Sequence, residues 1–425
     1  MKEDGSRTLN GWKEVAAYLG ASTRAAQMWE RERALPVRRA AGTKGRVWAE
    51  TRDLDRWREG LSAPLPAVPR RNPAWVAAAF GSVLTGVVLI GSAAFYNHPE
   101  IAKAVREGDR LIATGLHGRV LWTHRFNSRR ERFAGSRFSN PVIADIDGDG
   151  QAEVLASNHS EVNHLGDNGL FCFSASGSLK WHFQPGKSVR TDQGAFDPPY
   201  FVEKAVPFRV SPDGPRRIAV TSIHASFFPS QVAVLDERGR LLREYWHAGH
   251  LHDLEVGDLD RNGKMELYTV GIANGYNNAV AVALDPEKLD GAGWEESGDY
   301  QFKSMRPGVE IVRVLAPRTP LSRRIIRYNI LEELELLAGG VHTVTFEYEP
   351  LSDLSLCLTF GPLLRDPQWG PCDIYRTGLE RLRSQGIATT ETVESEMRGT
   401  TGFRDVTWGH QETARSRMAE RPATR

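Results

Sequence analysis

The chain has 425 residues, and at roughly 150 residues per domain the prior is about three segments. Hydrophobic content of 40% with 25% charged residues is globular composition, which excludes wholesale disorder and collagen-like repeats. The net charge of +1 hides a split, because residues 1–72 hold 15 Lys and Arg against 9 Asp and Glu while the remainder is net acidic; a basic head on an acidic body points to different partners for the two parts.

In the head, Asn10 can cap a helix from Gly11 to Leu19 in which Trp12, Val15, Ala16 and Leu19 recur on one face. Gly20 breaks it, and Ser22 can cap a second helix reaching about Arg33. Ala16 then falls where two helices cross, Gly20 lies in a short turn, and Ala26 and Trp29 lie on the buried face of the second helix. Its exposed face carries Thr23, Arg24, Gln27 and Arg31; Arg can make paired contacts to guanine and Gln to adenine. Leu35-Pro36-Val37-Arg38-Arg39, Gly42-Thr43-Lys44-Gly45-Arg46 and Val47-Trp48-Ala49 read as strand, glycine-rich hairpin and strand, a basic wing. A closing helix around Asp53–Trp57 packs Leu54 and Trp57 back on the core. This stretch, carried by WKEVAAYLGASTRAAQMWERERALPVRR and VWAETRDLDRW, resembles the winged helix-turn-helix of the MerR/excisionase type. The resemblance implies a domain over residues 1–60 that binds duplex DNA. It makes Thr23, Arg24, Gln27 and Arg31 base readers and sets Arg38, Arg39, Lys44 and Arg46 on phosphates. Met28-Trp29-Glu30 departs from the usual Arg-Tyr-Tyr-Glu, and no long dimerisation helix follows. A three-helix protein-interaction module is the bland alternative.

Residues 61–73 contain Pro64, Pro66 and Pro69 and read as an extended linker. From Ala74 to Tyr96 run 23 residues without a formal charge, which as a helix would span about 34 Å and cross a bilayer core of roughly 30 Å. Arg70 and Arg71 precede it, whereas His98, Pro99 and Glu100 follow. The expectation is therefore a single-pass inner-membrane protein with a cytoplasmic N-terminus and an extracytoplasmic C-terminal part. Ala78, Ser82 and Gly86 form a small-residue ladder suited to pairing, and so to a homodimer.

Beyond the span, two nine-residue segments share a pattern. Asp145, Asp147, Asp149 and Glu153, and Asp258, Asp260, Asn262 and Glu266, place oxygen donors at positions 1, 3, 5 and 9 with glycine at 6. Alternate donors on a tight turn converge on one centre, which suits Ca²⁺, with the carbonyls of Gln151 and Lys264 as a further ligand. Asp- and Gly-rich turns are also ordinary hairpin chemistry. Carboxylates fill all four donor positions of the first loop, whereas the second has Asn262 at one of them and places Arg261 and Lys264 beside it, so the first is expected to bind more tightly.

A second word alternates with these loops: Gly118-Arg-Val-Leu-Trp122, Gly177-Ser-Leu-Lys-Trp181 and Gly239-Arg-Leu-Leu-Arg243, with glycines 59 and 62 residues apart. Leu170-Phe173, Val232-Asp236 and Ala279-Asp285 read as strands. These features resemble FG-GAP/VCBS repeats with the Asp-rich calcium loop of integrin-like propellers. The resemblance implies a mainly-β propeller domain over residues 97–360. His247, His250, His252 and Asp253 cluster before the second loop and suit a propeller mouth better than a transition metal. Residues 361–425 have no assignment, and the last dozen read as a charged, disordered tail. Cys357 and Cys372 are the only close cysteine pair.

No nucleophile elbow, P-loop, CxxC or HExxH occurs, so the chain is expected not to be an enzyme. The reading that joins the parts is a membrane-tethered transcription regulator whose outer calcium-binding propeller meets an unknown ligand or protein, a layout similar to ToxR/CadC-type regulators. The rival is a membrane-anchored adhesion or assembly protein whose inner domain binds protein.

Overall fold

The chain folds as two units, residues 1–92 and 93–425. The computed structural model describes residues 7–19, 30, 35–39, 47–62, 100–126, 140–159 and 168–407.

In the first unit, β1 (Thr8–Asn10), α1 (Gly11–Tyr18), β2 (Arg38–Arg39), β3 (Val47–Glu50) and α2 (Thr51–Ser62) follow in order. The sheet order is β1-β3-β2, with Leu9 opposite Ala49 and Arg38 opposite Trp48. Leu9, Val15, Ala16, Leu35, Ala49 and Leu54 form its core, with Trp12 and Leu19 packed against it. The turn and second helix expected at 20–33 lie outside the described residues apart from Glu30.

The expected membrane localisation is corrected. Among the described residues no helix is long and apolar enough to cross a membrane, a finding that says nothing of β-barrels. The stretch 74–96 lies outside the described residues, as do residues 408–425, which include the last dozen expected as a tail.

The second unit is built from five successive antiparallel meanders. The first is β4 (Lys103–Glu107), β5 (Arg110–Thr114) and β6 (Val120–Arg125). The second is β7 (Val142–Ala144), β8 (Glu153–Asn158), β9 (Gly169–Phe173) and β10 (Leu179–Phe183). A small hairpin of β11 (Val189–Thr191) and β12 (Gly194–Phe196) leads to the third sheet. That sheet is β13 (Tyr200–Arg209), β14 (Arg216–His224), β15 (Pro229–Leu235) and β16 (Leu241–Ala248). The fourth is β17 (Leu251–Gly257), β18 (Glu266–Ala273), β19 (Asn278–Leu284) and β20 (Val312–Leu315). After α3 (Pro320–Ile325), the fifth is β21 (Ile330–Leu337), β22 (Gly340–Phe346), β23 (Leu356–Phe360) and β24 (Gln368–Pro371).

Inner strands are buried on both faces because successive side chains point to opposite sides of a sheet. On β9, Phe171 and Phe173 pack toward Leu111 and Phe126 of the first-sheet side, whereas Leu170 and Cys172 pack toward Val202 and Ile218 of the third. On β19, Val280, Val282 and Leu284 face the third-sheet side, and Ala279, Ala281 and Ala283 face Leu331 and Val341 of the fifth. Sheets stacked face to face in chain order make this a β-propeller-type domain, mainly β with few helices.

The repeated glycine word latches neighbouring sheets. Trp122 donates its indole N–H to the Ala175 carbonyl at 3.0 Å, and Trp181 repeats the bond to Glu237 at 3.0 Å. Each ring covers the glycine of the next word: a Cβ on Gly177 would lie 2.7 Å from Trp122, and one on Gly239 would lie 2.5 Å from Trp181. Gly239→Ala therefore adds an overlap to a left-handed φ of +74°, and a loss of about 1–3 kcal/mol is expected in urea denaturation. Gly118 has the same φ of +74° with nothing within 4 Å, so Gly118→Ala isolates the backbone part. Equal losses from the two variants would remove the latch.

Residues 361–407, for which the sequence offered no assignment, belong to the same fold. β24 closes the fifth sheet, and β25 (Arg404–Asp405) pairs with β20 as a fifth strand of the fourth. Tyr375, Leu379 and Leu382 of α4 (Tyr375–Ser384) enter the core behind that sheet, beside α5 (Val393–Gly399). A disulfide joins Cys357 to Cys372.

Candidate metal centres

Both Asp-rich segments connect the first and second strands of their sheets, β7 to β8 and β17 to β18. Their backbones match. Position 6 is left-handed in each (Gly150 and Gly263, φ +85°), and so is position 4, as Gly148 (φ +86°) and Arg261 (φ +61°). The aspartate at position 1 caps the turn: Asp145 accepts from the Gly148 and Gly150 amides, and Asp258 from the Asn262 and Gly263 amides. Position 5 accepts from the amide at position 7 in both, Gln151 to Asp149 and Lys264 to Asn262, each at 2.8 Å. The sequence repeat is thus a repeat of turn geometry.

The carboxylates differ in what they meet. Ligand oxygens of Asp145, Asp147 and Asp149 lie within 4.8 Å of one another, as do those of Asp258, Asp260 and Glu266. That spread fits oxygens about 2.3–2.6 Å from one Ca²⁺. In the first loop, however, Lys180 of β10 bridges Asp147 at 2.5 Å and Glu153 at 2.9 Å, and Arg216 of β14 pairs with Asp145 at 3.1 Å. Burial alone would lower the Lys180 ammonium, but its bonds to Asp147 and Glu153 hold it above its ordinary value. Glu153 is nearly inaccessible and also accepts from the Ile146 amide. The first loop is already served by cations of the chain itself.

In the second loop no described lysine or arginine pairs with Asp258, Asp260 or Glu266. Burial, with the neighbouring Asp260 and Asp258 charges, pushes the Glu266 carboxyl up to about 7. An uncompensated acidic cluster of this kind is what a hard dication relieves. The donor count favours the first loop, but its carboxylates are ion-paired within the chain, whereas those of the second are not. Lys180 and Arg216 were the missed residues; Lys180 sits in the repeated glycine word, where the third copy has Leu242, and that was the available signal.

The histidine cluster separates. His247 is fully buried with Nε2 bonded to the Ile272 carbonyl, and Asp253 pairs with Lys204 at 2.7 Å. His250 and His252 remain together, ring centroids 5.6 Å apart, facing a cavity.

Of the head residues, Thr23, Arg24, Gln27, Arg31, Lys44 and Arg46 lie outside the described residues, and Arg39 is described only as backbone of β2. Arg38 is exposed, pairs with Asp53 at 3.3 Å and lies over the Trp48 ring.

No family model matches the chain, and no curated protein matches its sequence. Among solved structures it is similar to the Dos1 propeller, at 14% identity and a TM-score of 0.34, covering 64% of this chain and 59% of that one. It is similar to a Bacillus licheniformis rhamnogalacturonan lyase at 10% and 0.31, covering 66% and 54%. A β-1,3-galactosidase follows at 12% and 0.30, covering 64% and 80%. The chain spans little more than half the length of the first two. One expectation is corrected: two of these neighbours are enzymes, so the reading that the chain is not an enzyme is withdrawn. The likeness is one of fold alone and assigns no activity.

Proposed function

We propose that the chain joins a calcium-stabilised propeller-type binding domain of FG-GAP/VCBS kind to an N-terminal winged helix-turn-helix that binds duplex DNA. The observation that carries the metal half is the second loop, where Asp258, Asp260 and Glu266 converge and none of them forms an ion pair with a described lysine or arginine. Asp258 and Asp260 would be the strongest ligands, Asn262 a neutral one, and the Lys264 carbonyl a backbone one. Calcium supplies charge neutralisation there and fixes the turn. Titrating the chelated chain with calcium in a calorimeter tests this, with saturation expected at about 10⁻⁴–10⁻³ M. Absence of heat in that range removes the metal.

The DNA half is supported by the basic balance of residues 1–72 and by the sheet that sets β2 and β3 around the basic segment 38–46. Binding of the chain to duplex DNA should fall steeply with salt as counterions are released. Arg24→Ala should relax base preference at one position at a cost of roughly 1–3 kcal/mol, while Lys44→Ala weakens all sequences alike. Gel shifts that are indifferent to salt would overturn this half.

A further inference from the structure

We propose that the aromatic cavity at the opposite end of the sheets from the Asp-rich loops binds the ring of an uncharged sugar. The Asp-rich loops join first to second strands. Phe227, Asn274 and Tyr348 lie instead where second strands lead to third: between β14 and β15, between β18 and β19, and after β22. His250 and Tyr328 precede β17 and β21, first strands that start at that same end. In an up-and-down meander these two sets of loops emerge at opposite ends. The loops of three successive sheets meet around a cavity of about 240 Å³.

Its walls are four aromatic rings, Phe227, Phe228, Tyr328 and Tyr348. Phe227 is 55% exposed and Tyr348 42% exposed. Large apolar groups held open around a concave site are informative in a way that scattered surface ones are not. Tyr328 and Tyr348 brace each other edge to face at 5.4 Å, which fixes their orientation.

Hydrogen-bonding groups stand among the rings. The His250 Nε2–H donates to the Phe227 carbonyl at 2.7 Å, which leaves Nδ1 as an acceptor. Burial holds the His250 imidazole below its ordinary range and so in the neutral form. The Asn274 amide adds donors and an acceptor, and Ser226 a hydroxyl. Among the described residues that line it, none is Asp, Glu, Lys or Arg.

That set selects by chemistry. A phosphate, carboxylate or ammonium would lose its hydration and find no opposite charge. A purely apolar ligand would leave the imidazole and amide groups unpaired. A pyranose has a C–H face for the rings and hydroxyls for His250 and Asn274, and 240 Å³ lies below the roughly 300–1,000 Å³ of drug-sized sites, as suits one ring. The ring could come from a free monosaccharide or from a polysaccharide end.

The test is calorimetric titration of the full chain with neutral gluco-, manno- and galacto-configured hexasaccharides, with the free monosaccharides and with polygalacturonate. At least one neutral sugar is expected to bind. Phe227→Ala and Tyr348→Ala, exposed and so compatible with an unchanged melting temperature, should each weaken it about threefold or more. A monosaccharide that matches its hexasaccharide identifies a free-sugar site, and a tighter hexasaccharide identifies a chain-end site. Silence from every neutral sugar, preference for polygalacturonate, or wild-type affinity in both aromatic variants would overturn the proposal.

Discussion

On the proposed calcium site, calcium is expected to raise the melting temperature of the full chain, Asp260→Ala to abolish that rise and Asp147→Ala to leave most of it. Calcium that binds the folded state alone stabilises by mass action, about 2.7 kcal/mol at a hundredfold excess over Kd, which shifts melting by several degrees. The asymmetry follows from the cations. Asp260 shares its cluster with Asp258 and Glu266 and accepts only neutral hydrogen bonds, from Asn262, among those described, whereas Asp147 already meets the Lys180 ammonium at 2.5 Å. A metal entering the first loop must displace that ammonium and leave Lys180 beside a dication. Lys180→Gln should therefore add a second calcium-dependent increment that wild type lacks. In chelator, Asp260→Ala should be close to neutral, because the bonds lost from Asn262 are offset by removal of a charge that pushes Glu266 upward. Calorimetric scans with and without calcium check all three variants. A response lost in Asp147→Ala but kept in Asp260→Ala would reverse the order of the loops.

The local half of this site was legible in the sequence. Donor spacing and glycine at position 6 dictate a turn by themselves, and Gly150 and Gly263 adopt the same left-handed φ. Strand runs such as Leu170-Phe-Cys-Phe173 were legible too, since an unbroken apolar run, whose side chains point alternately to the two faces, implies burial on both. What decides between the loops was not legible, because Lys180 and Arg216 arrive from positions 33 and 71 residues away from their partners. The aromatic cavity is assembled the same way, from loops spread over residues 226–348, none distinctive alone. Residues 361–407 gave no signal because their order comes from partners elsewhere: β25 pairs with β20, and Arg318 donates its backbone N–H to the Thr401 hydroxyl. Trp122 and Trp181 were visible as a repeat, but their function as latches depends on the next sheet lying underneath.

Arg313→Met is expected to cost about 3–5 kcal/mol, the largest loss for any single side chain discussed, because it leaves charge buried without a partner. Arg313 and Glu295 are both inaccessible to solvent and form an ion pair inside the domain. The guanidinium also donates to the Trp294 carbonyl, and the Glu295 carboxylate accepts from the Gly275 amide at 2.7 Å. Glu310, which accepts from Tyr245 at 2.7 Å, adds a second carboxylate to the surroundings of Arg313. Burial pushes the Glu295 carboxyl upward, and the Arg313 charge and hydrogen bond pull it back. Without Arg313 that restraint disappears and the folded-state pKa moves further above the unfolded value of about 4.3. A raised folded pKa means stability that is present below the unfolded pKa and lost as pH rises through the folded one. The deficit of Arg313→Met should therefore be small near pH 5 and widen toward about pH 8. Adding Glu295→Gln should flatten that slope and recover much of the loss, since a neutral amide still bonds Gly275 without needing a counter-charge. Urea denaturation of the two variants across this pH range separates the charge from the packing of a long side chain: a loss independent of pH in Arg313→Met would assign the effect to packing alone.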